Sequence, residues 1–161
     1  MADDFANVGV VPPETLLGED GLSFLQGIID GRWPAPPIAA TLGFTLVSVS
    51  EGKALFRGTP EFRHYNPIGV VHGGYAATLL DSAVGCAVHT TLKKGEGYTT
   101  LELKINMVRA ISQNTGPVEA EGLILHRGRS VATAEGYLRD QSGRLYAHAT
   151  TTCMIFPARK G

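Results

Sequence analysis

The sequence predicts an α+β domain in which an antiparallel sheet wraps one long, apolar helix. Two observations carry this. Residues 73–93 (GGYAATLLDSAVGCAVHTTLK) are rich in Ala and other small residues, and Asp81 is their only acidic residue. A helix apolar nearly all round is a buried one, and no second helix of its kind is present to cover it. Four extended runs follow it, separated by turn residues, so a sheet is what covers it.

The elements follow in chain order. Residues 1–19 are mixed and turn-rich and read as an N-terminal arm, and 20–161 read as a single domain. Leu22, Phe24, Leu25, Ile28 and Ile29 recur at helical spacing, predicting a short amphipathic helix that Gly31 and Pro34 stop. PAPP at 34–37 reads as a rigid connector, because proline is excluded from a helix interior. From 41 to 62 the pattern is extended. Leu42, Phe44, Leu46, Val47 and Val49 lead to a turn at 50–53 and then to ALFRG, a hairpin or one long bent strand. Asn66-Pro67 and Gly69 mark a loop before the apolar helix. Beyond the helix, Leu101, Leu103, Ile105 and Met107 alternate with polar residues at period two. Residues 118–125, 131–138 and 145–156 are three further extended runs, and the four together read as a sequential meander.

Composition narrows the function. The 161 residues fit one domain, with 43% apolar residues to build its core. Fourteen Lys and Arg stand against 15 Asp and Glu, so no basic excess points to nucleic acid or to a membrane surface. Cys86 and Cys153 are the only cysteines, too few for a disulfide framework and not in metal-binding spacing. His64, His72 and His89 lack an i,i+4 pair or a nearby carboxylate set, so no metal is expected. The N-terminus is acidic where a secretory signal is basic, and no apolar run reaches the ~18 residues of a membrane span. The expected location is the cytoplasm.

The chemistry lies in Asn66-Pro-Ile-Gly69-Val-Val-His72-Gly73-Gly74 and in Asp81. A helix beginning at His72-Gly73-Gly74 offers unpaired N–H groups and the positive end of the helix dipole. Glycine lets a carbonyl approach that backbone, which makes it an oxyanion site. Asp81, expected to be buried on the apolar helix, is costly there unless paired or functional, and burial should raise its pKa. Gly73 and Asp81 lie eight residues apart, about 12 Å along the axis. One carbonyl cannot reach both in one chain, so two copies with antiparallel helices are expected to share composite sites.

At these residues the sequence resembles the hotdog-fold acyl-CoA thioesterases of the phenylacetyl-CoA and 4-hydroxybenzoyl-CoA thioesterase type. The resemblance runs from about 22 to 156 and includes the N-x-x-G-x-x-H-G-G loop, Asp81, and the run HRGRSVATAEGYLRDQSGRLYAHATTT. It implies that Asp81 is the catalytic carboxylate and that the Gly73 N–H polarises the thioester carbonyl. His72 and Asn66 would shape the carbonyl and water site, and a hydroxyl at Thr100 or Thr99 would help hold the water. Some relatives carry Ser or Thr one turn after the carboxylate, where this chain has Gly85. Coenzyme A, here part of the substrate rather than a cofactor, brings phosphates. The basic turn His126-Arg127-Gly128-Arg129-Ser130 and Arg109 are the candidate contacts, since the guanidinium fork suits phosphate.

The expected function is therefore hydrolysis of an aryl- or medium-chain acyl-CoA, in a homodimer or, as in many relatives, a homotetramer. No other cofactor is required, and Asp81 serves as nucleophile or as general base. The rivals are a hotdog acyl-CoA hydratase or dehydratase, whose His base and separately placed acid are not found here, and a non-catalytic acyl-CoA binding domain. A sensor of the latter kind is expected to carry an attached DNA-binding or partner domain, for which this chain is short.

Overall fold

A computed structural model describes residues 7–158. Three short helices come first: α1 (Pro13–Leu16), α2 (Gly21–Ile29) and α3 (Pro37–Leu42). Asp20 caps α2 by accepting the Ser23 N–H at 2.9 Å. Residues 7–9 bond to Ala35, and Leu17 accepts the Gly95 N–H, so this part of the chain lies against the body.

α3 corrects the reading of PAPP as a plain connector and of 41–42 as extended. Pro36 is the N-cap and Pro37 the first helical residue, where a missing N–H costs nothing. Gly43, at φ 67°, closes the helix in the left-handed conformation.

Strands β1 (Phe44–Ser50) and β2 (Lys53–Gly58) then form a hairpin. The central helix α4 (Gly73–His89) follows, and then β3 (Glu96–Met107), β4 (Val118–Arg127), β5 (Val131–Asp140) and β6 (Leu145–Pro157). All six strands form one antiparallel sheet in the order β1-β2-β4-β5-β6-β3. The last four strands are therefore not a sequential meander. β4, β5 and β6 are, but β4 takes β2 as its other partner and β3 joins the far edge beside β6. Period-two patterning specifies that a segment is a strand; it does not say which neighbour the strand takes.

The sheet curls around α4. Gly122 of β4 and Gly136 of β5 are register partners, and together they form the seat of the helix. A side chain on Gly122 would strike the carbonyl of Ala83, and one on Gly136 would strike Val84 and Leu80. Leu79, Leu80, Ala83, Val84, Ala87 and Val88 are wholly buried there. One cluster joins the first half of α4 to Phe44, Phe56, Val118 and Leu138, and a second joins its end to Ala132, Cys153 and Ile155. No described helix is long and apolar enough to cross a membrane.

Candidate active site

The start of α4 is held by its own loop. The His72 N–H donates to the His64 carbonyl at 2.7 Å and the Val71 N–H to that of Ile111 at 2.9 Å. The His64 ring stacks on Tyr75 of the first helical turn, centroids 4.5 Å apart. Asn66 folds the approach, its Oδ1 accepting the Ile68 and Val70 N–H groups at 3.1 and 3.2 Å. Asn66 thus serves the loop with its oxygen and has its amide nitrogen left for a ligand.

His72 is the N-cap, and its Nδ1 accepts the Gly74 N–H at 2.8 Å. With Nδ1 used as an acceptor, Nε2 is the ring nitrogen left to face the cleft. The His72 carbonyl takes the Tyr75 N–H. The Gly73 N–H alone of these three has no acceptor among the described residues. It opens on a cleft of about 280 Å³ lined by Asn66, His72, Gly73, Met107 and Arg109. Met107 entered the sequence reading only as part of a strand pattern, not as a site residue. Its Cε would lie 3.3 Å from a Cβ at residue 73, a tight contact that glycine avoids.

Asp81 is exposed in the single chain, not buried as expected. The sheet covers the other sides of α4 and leaves a stripe of Gly74, Ala77, Thr78, Asp81 and Ser82 facing outward, none of them fully buried. A helix of small residues all round does not reveal in sequence which side the sheet omits. The apolar surroundings still raise the Asp81 carboxyl above the usual carboxylate value, because the charged form is desolvated. Cys86, five residues on, has its thiol pushed up to about 12, by burial and then by the Asp81 charge.

Of the two candidate hydroxyls, Thr100 faces inward, with Oγ1 4.0 Å from Cys153 Sγ, and Thr99 is exposed. Register slips after Thr100, bulging Leu101 outward to 57% exposure. The basic candidates separate. Arg109 lines the Gly73 cleft. Arg127 is engaged by Glu96 at 2.7 Å and by the Gly128 carbonyl, which leaves Arg129 as the exposed guanidinium of that turn. Ser130 accepts the Ile155 N–H, and Ile155 pairs with Tyr98, so this turn sits at the far end of α4 from Arg109.

A second cavity, of about 470 Å³, lies between α2, α3, β1 and α4. Leu25, Trp33, Phe44 and Phe56 line it, and Cys86 reaches it from the helix that carries Asp81. Leu25, Phe44 and Phe56 entered the sequence reading only through the helix and strand patterns, Cys86 only as one of two cysteines, and Trp33 not at all.

Comparison with known proteins agrees with this fold. Residues 68–147, from the loop before α4 into β6, match the model of the thioesterase superfamily. The solved structure of a phenylacetic acid degradation-related protein from Ralstonia eutropha JMP134 is 31% identical, with a TM-score of 0.73 over 81% of this chain and 98% of that one. The chain belongs to the thioesterase superfamily. Its fold is the hotdog fold, and it is a thioester hydrolase. A 1,4-dihydroxy-2-naphthoyl-CoA hydrolase of Listeria monocytogenes is 27% identical over 120 residues, 74% of this chain and 96% of that one. A protein of Streptococcus mutans UA159, solved with acetyl CoA bound, is 27% identical with a TM-score of 0.65 over 73% of this chain and 92% of that one.

Proposed function

We propose that this thioesterase hydrolyses an aryl- or medium-chain acyl-CoA at a site shared by two copies of the chain. The observation that carries the reading is the pairing of a free Gly73 N–H at the start of α4 with a solvent-facing Asp81 about 12 Å further along the same helix. The exposed stripe around Asp81 is built of small residues, which allows a second α4 to pack antiparallel and close. Beside it, β3 is an edge strand with Leu101 and Met107 exposed, as is Val108 just past its end, a surface that a second copy would cover.

In such a site the thioester oxygen accepts the Gly73 N–H of one copy, in the positive field of the helix start. Asp81 of the other copy either removes a proton from water as the water attacks the carbonyl carbon, or attacks that carbon itself to give an anhydride. In both routes the C–S bond breaks, the thiolate leaves and is protonated, and water supplies the acid oxygen. The raised Asp81 carboxyl makes it a stronger base than an ordinary aspartate. The apolar cavity floored by Cys86, with Trp33 and Phe44 in its wall, supports an aryl or medium-chain acyl group. Arg109 and Arg129 are the guanidinium groups proposed for the CoA phosphates, and the cytoplasm is the proposed location.

The test is thiol release from a panel of acyl-CoAs by the purified protein. Aryl and C6–C10 esters are expected to give the highest kcat/KM. Preference for acetyl- or a dicarboxylyl-CoA would overturn the acyl assignment, and release from none of them would overturn the function.

A further inference from the structure

We propose that the Tyr98 hydroxyl positions the attacking water, from a place one helical turn beyond Asp81 that Gly85 leaves open. The proposal rests on the acyl-CoA hydrolase reading above. Gly85 follows Asp81 by four residues, so the two share one side of α4, about 6 Å apart along the axis. It is also the one glycine in the interior of α4, where glycine is unfavourable. The reason for it is on the page. A Cβ at residue 85 would lie 3.0 Å from Tyr98 Oη, but 3.6 and 3.7 Å from the ring atoms Cε2 and Cζ. The phenol oxygen, not the ring, fills the space that a side chain would take.

The ring is fixed and the hydroxyl is not. Tyr98 packs on the cluster around Val84 and Val88, with its ring 5.4 Å from that of His89. Its hydroxyl has no hydrogen-bond partner among the described residues, and the Cys86 and Cys153 thiols and the Asp81 carboxylate lie within its electrostatic range. Burial, those thiols and the Asp81 charge all hold the phenol in its protonated form, so it acts as a hydroxyl and not as a base. A tyrosine hydroxyl so placed is free to bond a water. A water that donates one O–H to Asp81 can donate the other to Tyr98 Oη, which leaves its lone pair aimed at the carbonyl carbon. In the anhydride route Asp81 is acylated when water attacks, so there Tyr98 Oη alone orients that water, and its proton passes to the departing Asp81 carboxylate.

The spacing permits a test that moves the hydroxyl from strand to helix. Tyr98→Phe is expected to lower kcat about tenfold or more, with KM within twofold and an unchanged or higher melting temperature. Adding Gly85→Ser to it places a hydroxyl on α4, and with the phenol oxygen gone its Cβ meets only ring atoms at 3.6 Å or more. That double variant is expected to regain kcat, and Gly85→Ala with Tyr98→Phe, which fills the same space without a hydroxyl, is not. Wild-type kcat in Tyr98→Phe, or a serine double no faster than the alanine double, would overturn the proposal. Asp81→Asn is run beside them on the same acyl-CoA: if it too keeps wild-type turnover, the hydrolase reading has failed and not only the role of Tyr98.

Discussion

Gly122→Ala is a one-methyl test of whether the seat of the helix sets the position of Asp81. A Cβ on Gly122 would stand 2.1 Å from the Ala83 carbonyl oxygen, 2.3 Å from its carbon and 2.8 Å from the Val84 nitrogen, all of them α4 backbone. Backbone cannot rotate aside as a side chain can. To restore an ordinary 3.4 Å contact, helix and strand must part by roughly 1.3 Å. Ala83 lies two residues from Asp81, so the carboxylate moves with it. Overpacking of this kind costs about 1–3 kcal/mol, or roughly 2–12 °C of Tm for a chain of this length. Misplacing a catalytic group by about 1 Å costs about 10²-fold in rate. The assay is kcat by thiol release with a thermal melt alongside. Gly9→Ala is the control, since its Cβ would meet Pro34 at an ordinary 3.5 Å. Wild-type kcat in Gly122→Ala would refute the link between the seat and the carboxylate.

Three further outcomes are expected. His89, half-buried between Phe24 and Tyr98, has its pKa lowered by desolvation to about 4 from 6.5, so the folded state takes up its proton less readily than the unfolded one. The stability this gives is complete above pH 6.5 and lost as pH falls towards 4; a pH series of melts should show that loss, and His89→Phe should lack that component. Arg129→Ala should raise KM for acyl-CoA with kcat unchanged, and leave an acyl-pantetheine without nucleotide phosphates unaffected; equal slowing of both substrates would remove Arg129 from the phosphate site. Co-expressed Asp81→Ala and Gly73→Pro subunits should recover activity towards half per heterodimer, since one site then carries both intact groups. The Gly73→Pro protein must first be shown to fold, and verified heterodimers without recovery would mean that both groups act within one chain.

Much of this was legible in the sequence because it depends on local pattern. Helical spacing marks α2, the lone Asp81 in an apolar run marks α4, and period-two alternation marks the strands. α3 escaped because six residues hold too little periodicity to outweigh four residues of Pro-Ala-Pro-Pro, though Pro37 at a helix start and Gly43 after its end were the available signal. The place of β3 beside β6, the exposed face of α4 and the engagement of Arg127 by Glu96 depend on which distant segments meet. The same is true of Tyr98: nothing in 96–107 says that its hydroxyl ends beside Gly85, thirteen residues earlier.

Turnover by Asp81→Asn tests the central claim most directly, because asparagine keeps the shape of the side chain and removes its capacity as base or nucleophile. With folding verified by circular dichroism and acyl-CoA binding by calorimetry, kcat for the best substrate of the panel is predicted to fall by more than about 10²-fold. Near-wild-type kcat in that folded, ligand-binding protein would contradict it.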